Sequence, residues 1–255
     1  MPMVEVYRCA VILYAMMVSA VCAQVPVVLP CGNVVVDGSV YPSGAVVVME
    51  NCTTAQLVMR NITGVDMTIR NVSLLTAFVE GAYIVNTTIS IESCTIRTMQ
   101  SSAMVLDSVS VQLQSVRSAS DPNYFGIWLF LGNSSIKNWS FIATDATVNS
   151  TLPFIDVRDN TTLSACTVRL ASATITGGGN VLQANNASLV NTTFAVEGST
   201  VTAALMLSLS ISNVTGLLLR TLNTTMGGSY VAQVVSTSVV KTTSFIVDRS
   251  TVTSL

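Results

Sequence analysis

Residues that commonly carry acid–base chemistry are scarce in this sequence. Histidine is absent, and 13 acidic residues are spread over 255 positions. Enzymes that act on polysaccharides use paired carboxylates, or a base such as His, Arg or Lys in a groove. The densest cluster is Asp156-Val157-Arg158-Asp159, in which Asp156 and Arg158 share a strand face, and we interpret it as a solvated ion pair at a bend. The sequence predicts no catalytic residue, and a polysaccharide-active enzyme is the alternative.

The sequence also contains no motif for a metal, a cofactor or a nucleic acid. Without histidine and without a CxxC pair, a zinc site of ordinary ligand type is excluded. The glycine runs 177–179 and 227–228 lack the Lys-Ser/Thr context of a phosphate loop and are interpreted as tight bends. With 9% charged residues and a net charge of -2, no basic nucleic-acid footprint exists. We therefore expect no cofactor and no nucleic-acid partner.

A repeated dipeptide, Ser or Thr followed by a bulky apolar residue, marks a period of about 25 residues. It occurs at Thr68-Ile69, Thr95-Ile96, Ser115-Val116, Ser140-Phe141, Thr167-Val168, Thr193-Phe194, Thr221-Leu222 and Ser244-Phe245. Seven residues beyond four of these dipeptides, a threonine precedes Val148, Ile175, Val201 and Val252. The apolar residues of the eight dipeptides are predicted to stack inward.

The repeat and the composition together predict the fold. The chain is rich in Val and Thr, which favour strands, and each repeat holds short alternating runs separated by Gly, Asn, Ser or Asp. The signature of leucine-rich repeats is missing. We predict an all-β, right-handed parallel β-helix of the pectin-lyase-like kind, with about eight turns over residues 56–255. Residues 24–55, which contain three prolines, are predicted to form an N-terminal cap.

Four arginines directly follow such dipeptides: Arg70, Arg97, Arg117 and Arg169. We expect them to form one outward column that holds sulfates, sialates or carboxylates by bidentate contacts. The alternative is that they pair with neighbours such as Asp66 and Glu92, or are simply solvated. The first hypothesis predicts a host glycan or a matrix protein as the partner.

The cysteines fit the same register. Cys31 and Cys52 are predicted to form a disulfide in the cap. Cys94 and Cys166 are placed in one column but three turns apart, roughly 14 Å by strand spacing and beyond the ~7 Å limit for a bridge. We therefore predict that these two are unpaired, inward-facing thiols.

An aromatic-rich segment, residues 121–131, is interpreted as core packed across a wider turn, with a contact site as the alternative.

Residues 1–23 resemble a secretory signal peptide. Arg8 precedes an uncharged apolar stretch, and Val21 and Ala23 stand at positions suited to cleavage before Gln24. An uncleaved membrane anchor is the alternative. A second uncharged stretch, residues 201–219, alternates apolar and polar residues and predicts a strand rather than a membrane span.

Twelve Asn-x-Ser/Thr sequons support passage through the secretory pathway to the cell surface or the extracellular space. They begin at Asn51, Asn61, Asn71, Asn86, Asn133, Asn138, Asn149, Asn160, Asn186, Asn191, Asn213 and Asn223. The alternative is that a repeat containing this tripeptide has simply been multiplied.

The segments PCGNVVVDGSVYPSGAVVV and LVMRNITGVDMTIRNVSLL, after the N-terminal signal, resemble the N-terminal part of trypanosome dispersed gene family surface proteins. The resemblance implies a glycosylated surface protein with a β-helical ectodomain, C-terminal membrane segments and a role in adhesion. The sequence ends inside a turn, so we expect it to be the leading part of a longer protein, joined to a membrane only through segments not seen here. A structural spacer or a non-functional truncated copy is the further alternative.

Overall fold

The computed structural model describes residues 25–80, 83–102, 105–119, 128–131, 134–149, 153–177, 179–202, 205–227, 230–235 and 239–253. All regular secondary structure in these residues is β. Every strand pair is parallel, and each strand pairs with its equivalents in the turns before and after it. The chain is a parallel β-helix, as predicted from the repeat.

The strands are short, as expected for a coil that bends several times in each turn. In chain order they are β1 Val27–Val28, β2 Gly32–Asp37, β3 Val46–Glu50, β4 Ala55–Arg60, β5 Ile62–Thr63, β6 Asp66–Arg70, β7 Leu75–Glu80, β8 Tyr83–Val85, β9 Thr88–Glu92, β10 Thr95–Ser102, β11 Val105–Asp107, β12 Ser110–Gln114, β13 Arg117–Ser118, β14 Trp128–Leu131, β15 Ser135–Lys137, β16 Ser140–Thr144, β17 Thr147–Asn149, β18 Ile155–Ser164, β19 Thr167–Ala171, β20 Thr174–Thr176, β21 Leu182–Val190, β22 Thr193–Glu197, β23 Thr200–Thr202, β24 Leu205–Ser210, β25 Asn213–Thr215, β26 Leu218–Leu222, β27 Thr225–Gly227, β28 Tyr230–Val235, β29 Val239–Lys241, β30 Ser244–Asp248 and β31 Thr251–Thr253.

Four lateral surfaces run along the coil. Face 1 is the ten-stranded sheet β1-β3-β6-β9-β12-β16-β19-β22-β26-β30. The threonine strip follows it in each later turn and consists of β13, β17, β20, β23, β27 and β31. Face 2 contains β2, β4, β7, β14, β24, β28, most of β10 and the first halves of β18 and β21. Face 3 contains β5, β8, β11, β15, β25, β29 and the second halves of β18 and β21.

The turns are not equally long. Equivalent residues lie 20 positions apart at Asn51 and Asn71, and 22 apart at Val72 and Cys94. They lie 30 apart at Arg117 and Thr147, and 26 apart at Ala173 and Ser199. In the early, shorter turns the chain passes directly from the bend after face 1 to face 2. The later turns are longer because they add a strand of the threonine strip.

The core is a stack of inward side chains. On face 1, Val111, Phe141, Val168, Phe194 and Leu219 occupy one register and are fully buried. The Phe141 ring lies 5.4 Å from that of Trp139 and 6.2 Å from that of Phe154, centroid to centroid. Burial of large apolar side chains at about 25 cal/mol per Å² is the main favourable term for such a coil.

A residue with positive φ makes each of the two bends that flank face 1. After face 1 these residues include Asn51, Asn71, Ser93, Ser115, Asp145, Ser172, Gly198 and Asn223. Before face 1 they include Gly64, Asn86, Ser108, Asn138, Ala165, Asn191 and Gly216. The backbone N–H of each bend residue donates to a carbonyl of the next turn, for example Asn71 N to Glu92 O at 3.0 Å. The bends therefore continue the hydrogen-bond ladder of the strands.

The residue after each bend points inward, and where it is polar it bonds locally. Ser199 Oγ donates to Glu197 O at 2.8 Å, and Thr224 Oγ1 donates to Leu222 O at 3.0 Å. The thiols of Cys94 and Cys166 make the same contact, to Glu92 O at 3.1 Å and Ser164 O at 3.3 Å. A buried hydroxyl or thiol is thus satisfied by the carbonyl two residues earlier.

The prediction that the eight dipeptides share one inward column is wrong in detail. Phe141, Val168, Phe194 and Phe245 share a register on face 1, with Leu219 between the last two. Ile69 is also on face 1, but it lies two residues after Met67, which is the residue of β6 that shares this register. In the dipeptide Thr221-Leu222, the threonine rather than the leucine points inward. Ile96 belongs to the strand that pairs with the threonine strip. The same dipeptide thus occurs on face 1 and beside the threonine strip, because the strands of both surfaces alternate polar and apolar residues.

Residues 25–55, expected to form a cap, supply the first strands of the coil. β1 pairs with β3 on face 1, and β2 pairs with β4 on face 2. A disulfide joins Cys31 to Cys52, with their Cα atoms 5.4 Å apart, which is the pair predicted from the sequence. The first turn is thereby tied to the second.

Within the stretch 201–219, predicted as strand, the described residues include the end of β23, all of β24 and β25, and the start of β26. No helix long and apolar enough to cross a membrane is found among the described residues. The proposed signal peptide, residues 1–23, lies outside them. So do residues 120–127, which make up most of the aromatic segment, while 128–131 form β14.

Replacement of Ser172 tests the role of the positive-φ bends. Ser172 is exposed with φ 51°, and its side chain lies outside every sequon. Ser172→Val is expected to lower the free energy of unfolding by about 1–2 kcal/mol, since a β-branched residue is strained in the left-handed region. Ser172→Gly, the control, is expected to match or exceed the wild type in a thermal or urea melt. Equal stability of both variants would contradict this account of the bends.

Candidate functional site

The structure does not assemble the predicted arginine column. Arg70 and Arg169 lie on face 1 in different registers, since Arg70 pairs with Glu92 whereas Arg169 pairs with Ile142 and Ala195. Arg117 lies on the threonine strip opposite Thr95 and Thr147. Arg97 lies in a bulge of β10, between Ile96 and Thr98. The prediction that these four guanidinium groups stack is therefore wrong.

Two of these arginines are paired with glutamates of neighbouring turns. Arg70 Nε lies 2.6 Å from Glu50 Oε2, and Glu92 is its register partner on the other side. Arg169 Nη2 lies 2.7 Å from Glu197 Oε2. The alternative interpretation, pairing with neighbours, applies to both, because outward positions one turn apart are within reach of long side chains.

Two cysteines among the described residues lie outside the disulfide, Cys94 and Cys166; both are free and buried, but they do not share a column. Cys94 follows the bend after face 1, whereas Cys166 follows the bend before it. Burial raises the pKa of both thiols, so they stay protonated at neutral pH and are poor nucleophiles. Their geometry is that of the bend hydroxyls, and we assign them a structural role.

A groove of about 290 Å³ lies on face 2 at its junction with the bulge of β10. It is lined by Gln56, Thr76, Phe78, Arg97, Thr98 and Gln100. Strand register brings these residues together: Gln56, Thr76 and Thr98 occupy one outward column, and Phe78 and Gln100 occupy the next. The extra residue in β10 is Arg97, which also lines the groove.

The lining of the groove suits a polar, ring-shaped ligand. Phe78 is half-buried, so part of its ring is presented to the groove between the two glutamines. The Gln56 and Gln100 amides supply both donors and acceptors, and the Thr76 hydroxyl adds another. Arg97 also interacts within the protein, but a guanidinium has five N–H donors, enough to bind a carboxylate or sulfate as well.

An ion pair with a buried carboxylate lies two strands further along the same outward register. Gln100 pairs with Leu129, which pairs with Asp156. Asp156 forms the predicted salt bridge with Arg158, whose side chain is partly exposed, but Asp156 itself is 3% exposed, so the prediction that the pair is solvated is wrong for the carboxylate. The hydrogen bond to Asp156 raises the pKa of Arg158. Asp156 Oδ1 is buried and has no hydrogen-bond partner among the described residues.

Nine of the twelve sequon asparagines occupy positive-φ bends, with φ between 48° and 62°. They are Asn51, Asn61, Asn71, Asn86, Asn138, Asn160, Asn186, Asn191 and Asn223. Asn149 and Asn213 lie in strands, and Asn133 is outside the described residues. All eleven described sequon asparagines are exposed. None of these eleven asparagines lies on the strand segments assigned to face 1 or face 2. The described surfaces of these two faces are therefore flanked by the glycan acceptors but do not contain them.

The part of the chain that the structure describes contains no cluster of three or more His, Cys, Asp or Glu residues suited to a metal ion.

No protein-family model and no curated protein matches this chain. Among solved structures, it is similar to two epimerase modules and an adhesin. The A-modules of the Azotobacter vinelandii mannuronan C-5 epimerases AlgE4 and AlgE6 share 10% and 12% identity with it, at TM-scores of 0.21 and 0.18. Each alignment covers 91% of this chain, together with 89% of the AlgE4 module and 91% of the AlgE6 module. PfbA, a surface adhesin of Streptococcus pneumoniae, shares 7% identity at a TM-score of 0.24, covering 89% of this chain and 82% of its own.

The groove is not predictable from a uniform repeat, because its residues come from three turns of unequal length. The signal available was the near-repeat of polar residues at Gln56, Thr76 and Thr98, which a uniform period of about 25 residues does not align. Only Arg97 was singled out, and it was assigned to a column that does not exist.

Proposed function

We propose that this chain is a secreted or surface-displayed adhesion module that binds acidic oligosaccharides, of a host surface or matrix, in the face 2 groove. The observation that carries the proposal is the lining itself: a half-buried aromatic ring, two amides, threonine hydroxyls and one guanidinium around a single depression. Sugar rings stack on aromatic faces, amides bind their hydroxyls, and arginine binds carboxylate or sulfate bidentately.

The positions of the sequons support the same proposal. Glycans on the bend asparagines would stand at the corners of the coil and leave the strands of face 2 accessible. The sequons also support passage through the secretory pathway to the cell surface or the extracellular space. A rigid rod with sugars on its corners and an open groove on one flat side is suited to contact a surface.

Replacement of Arg97 tests the groove directly. The purified glycoprotein is screened on an array of uronate-containing, sulfated and sialylated oligosaccharides, and Arg97→Gln is measured with the best ligand. Loss of a charge-assisted hydrogen bond of about 1.5–3 kcal/mol predicts roughly 10-fold or more weaker binding. The wild-type affinity is expected to fall with added salt, because the contact is ionic.

Arg220→Gln is the matched control, since Arg220 is an exposed arginine on face 1. It is expected to bind like the wild type. The proposal fails if no acidic glycan binds, or if both arginine variants lose affinity equally.

A second candidate function, turnover of an acidic polysaccharide, is favoured by one observation: the buried Asp156 in the column that continues from the groove. A carboxylate there has the placement of an acid or base along a bound polymer. Our proposal expects no chain cleavage and no new unsaturated ends or altered sugar stereochemistry when the polymer is incubated with the protein. Turnover that disappears in Asp156→Asn but persists in Glu92→Gln, at an exposed carboxylate on face 1, would establish the enzyme instead.

A further inference from the structure

The threonine strip presents two straight columns of outward side chains. The first column is Thr147, Thr174, Thr200, Thr225 and Thr251, all exposed. The second contains Asn149, Thr176, Thr202, Gly227 and Thr253. Between them, Val148, Ile175, Val201 and Met226 point inward and are buried. The repeated unit is thus Thr-apolar-Thr from β20 onward, with Gly227 once in place of the second threonine, and no charged residue occurs at these ten outward positions. At the earlier end of the strip the first column continues to Arg117 on β13, and Asn149 in the second column is a sequon asparagine.

The fold itself does not require threonine at outward positions. The central outward column of face 1, over equivalent turns, reads Ile142, Arg169, Ala195, Arg220 and Ile246. That column mixes apolar, small and charged residues on strands of the same parallel kind. The uniformity of the strip is therefore a property of this surface and not a consequence of the coil.

The strip is regular in both directions. None of its registers between β17 and β31 contains a shift or bulge. Threonines two positions apart on one strand are about 6.6 Å apart, and equivalent threonines on neighbouring strands are about 4.8 Å apart. β-branched side chains are stiff at χ1, so methyl and hydroxyl groups stand on a rectangular grid.

The hydroxyl groups of the two columns differ in their bonding. In the second column, Thr176 Oγ1 lies 3.5 Å from Val148 O and Thr253 Oγ1 lies 3.3 Å from Met226 O. These contacts to the preceding turn orient the hydroxyls along the rod. In the first column, no hydrogen bond to a threonine hydroxyl comes from the described residues, so these groups face water.

From this grid we propose that the threonine strip is an ice-binding surface. Planes of crystalline ice present water oxygens on rectangular grids whose repeats are close to the two spacings of the strip. The hydroxyls replace hydrogen bonds of the lattice, and the methyl groups hold the intervening water in ordered cages. An uncharged surface is required, because strongly hydrated ions disrupt such water. The strands β20, β23, β27 and β31 meet this requirement, since Arg117 and the sequon Asn149 are confined to the earlier end of the strip.

The size of the strip favours this ligand over a second copy of the chain. Five strands at about 4.8 Å and a width of about 7 Å are far below the roughly 800 Å² per partner of a stable protein interface. A crystal lattice needs only the match of spacing, since many weak contacts form together on a rigid grid.

Recrystallisation of ice in the presence of the purified full-length chain tests the proposal. The wild type is expected to keep ice grains small and to separate the freezing and melting temperatures in osmometry. Thr200→Lys and Thr174→Lys are expected to lose both effects, since each places a charge in the centre of the grid. Neither substitution alters a sequon.

Thr167→Lys is the matched control, because Thr167 is an exposed threonine on face 1. It is expected to keep full activity. Gly227→Thr provides a gain of function: a Cβ there would contact Thr202 Cγ2 and Thr253 Oγ1 at 3.7 Å, which is ordinary packing. This variant fills the gap in the second column and is expected to act at lower concentration.

Circular dichroism and thermal melts establish that each variant is folded. A folded wild type that leaves ice growth unchanged would overturn the proposal, as would activity that survives both strip substitutions. Loss of activity in Thr167→Lys equal to that in Thr200→Lys would also overturn it, because the effect would not belong to the strip.

Discussion

The left-handed bend beside each strand of face 1 is the constraint on which the rest of this structure depends. The chain must change direction several times per turn while every strand stays in register with the turn above. Residues with positive φ make this change in one step, and their N–H groups still donate to the neighbouring turn. Asn, Ser and Gly tolerate this conformation better than β-branched residues. Their recurrence keeps the stacked inward side chains aligned over turns of different length.

The same bend explains why the sequence resembles that of a heavily glycosylated protein. The bend residue is often asparagine, and the residue after it points inward. The second residue after the bend occupies an outward position, where Ser or Thr is common. At Asn191-Thr192-Thr193 and Asn223-Thr224-Thr225 this order is itself a sequon. Sequon enrichment therefore follows partly from the backbone geometry. That geometry also places the acceptors at exposed corners, so the folding requirement and the proposed surface role agree.

The fold class was predictable because period, composition and alternation all indicate a parallel β-helix, and the structure confirms it. The buried, unpaired state of Cys94 and Cys166 also agrees with the sequence analysis. The columns were not predictable from one uniform period. A turn of 20 residues near Asn51 and one of 30 near Arg117 shift the register between them. The arginine column was wrong for this reason, and Asp156, expected to be solvated, is buried.

The groove and the threonine strip both arise from this variation in turn length. The groove forms where β10 carries one extra residue, and the strip forms where the later turns add a short strand. The threonine strip is absent from the turns of 20 residues, which pass from bend to face 2 directly, and the groove lies where these turns meet the bulge of β10. Changes in turn length, rather than changes in the core, thus create the surfaces to which we assign functions.

Cross-linking between neighbouring turns tests the stacking register most directly. Thr147 pairs with Thr174, which pairs with Thr200, and none of the three belongs to a sequon. Paired strands lie about 4.8 Å apart, within disulfide reach, whereas positions two turns apart are roughly twice that distance and beyond the ~7 Å limit. The double variant Thr174→Cys/Thr200→Cys is therefore predicted to form a disulfide under mild oxidation, detected by peptide mapping. Thr147→Cys/Thr200→Cys is predicted to stay reduced, and the opposite result would contradict the coil described here.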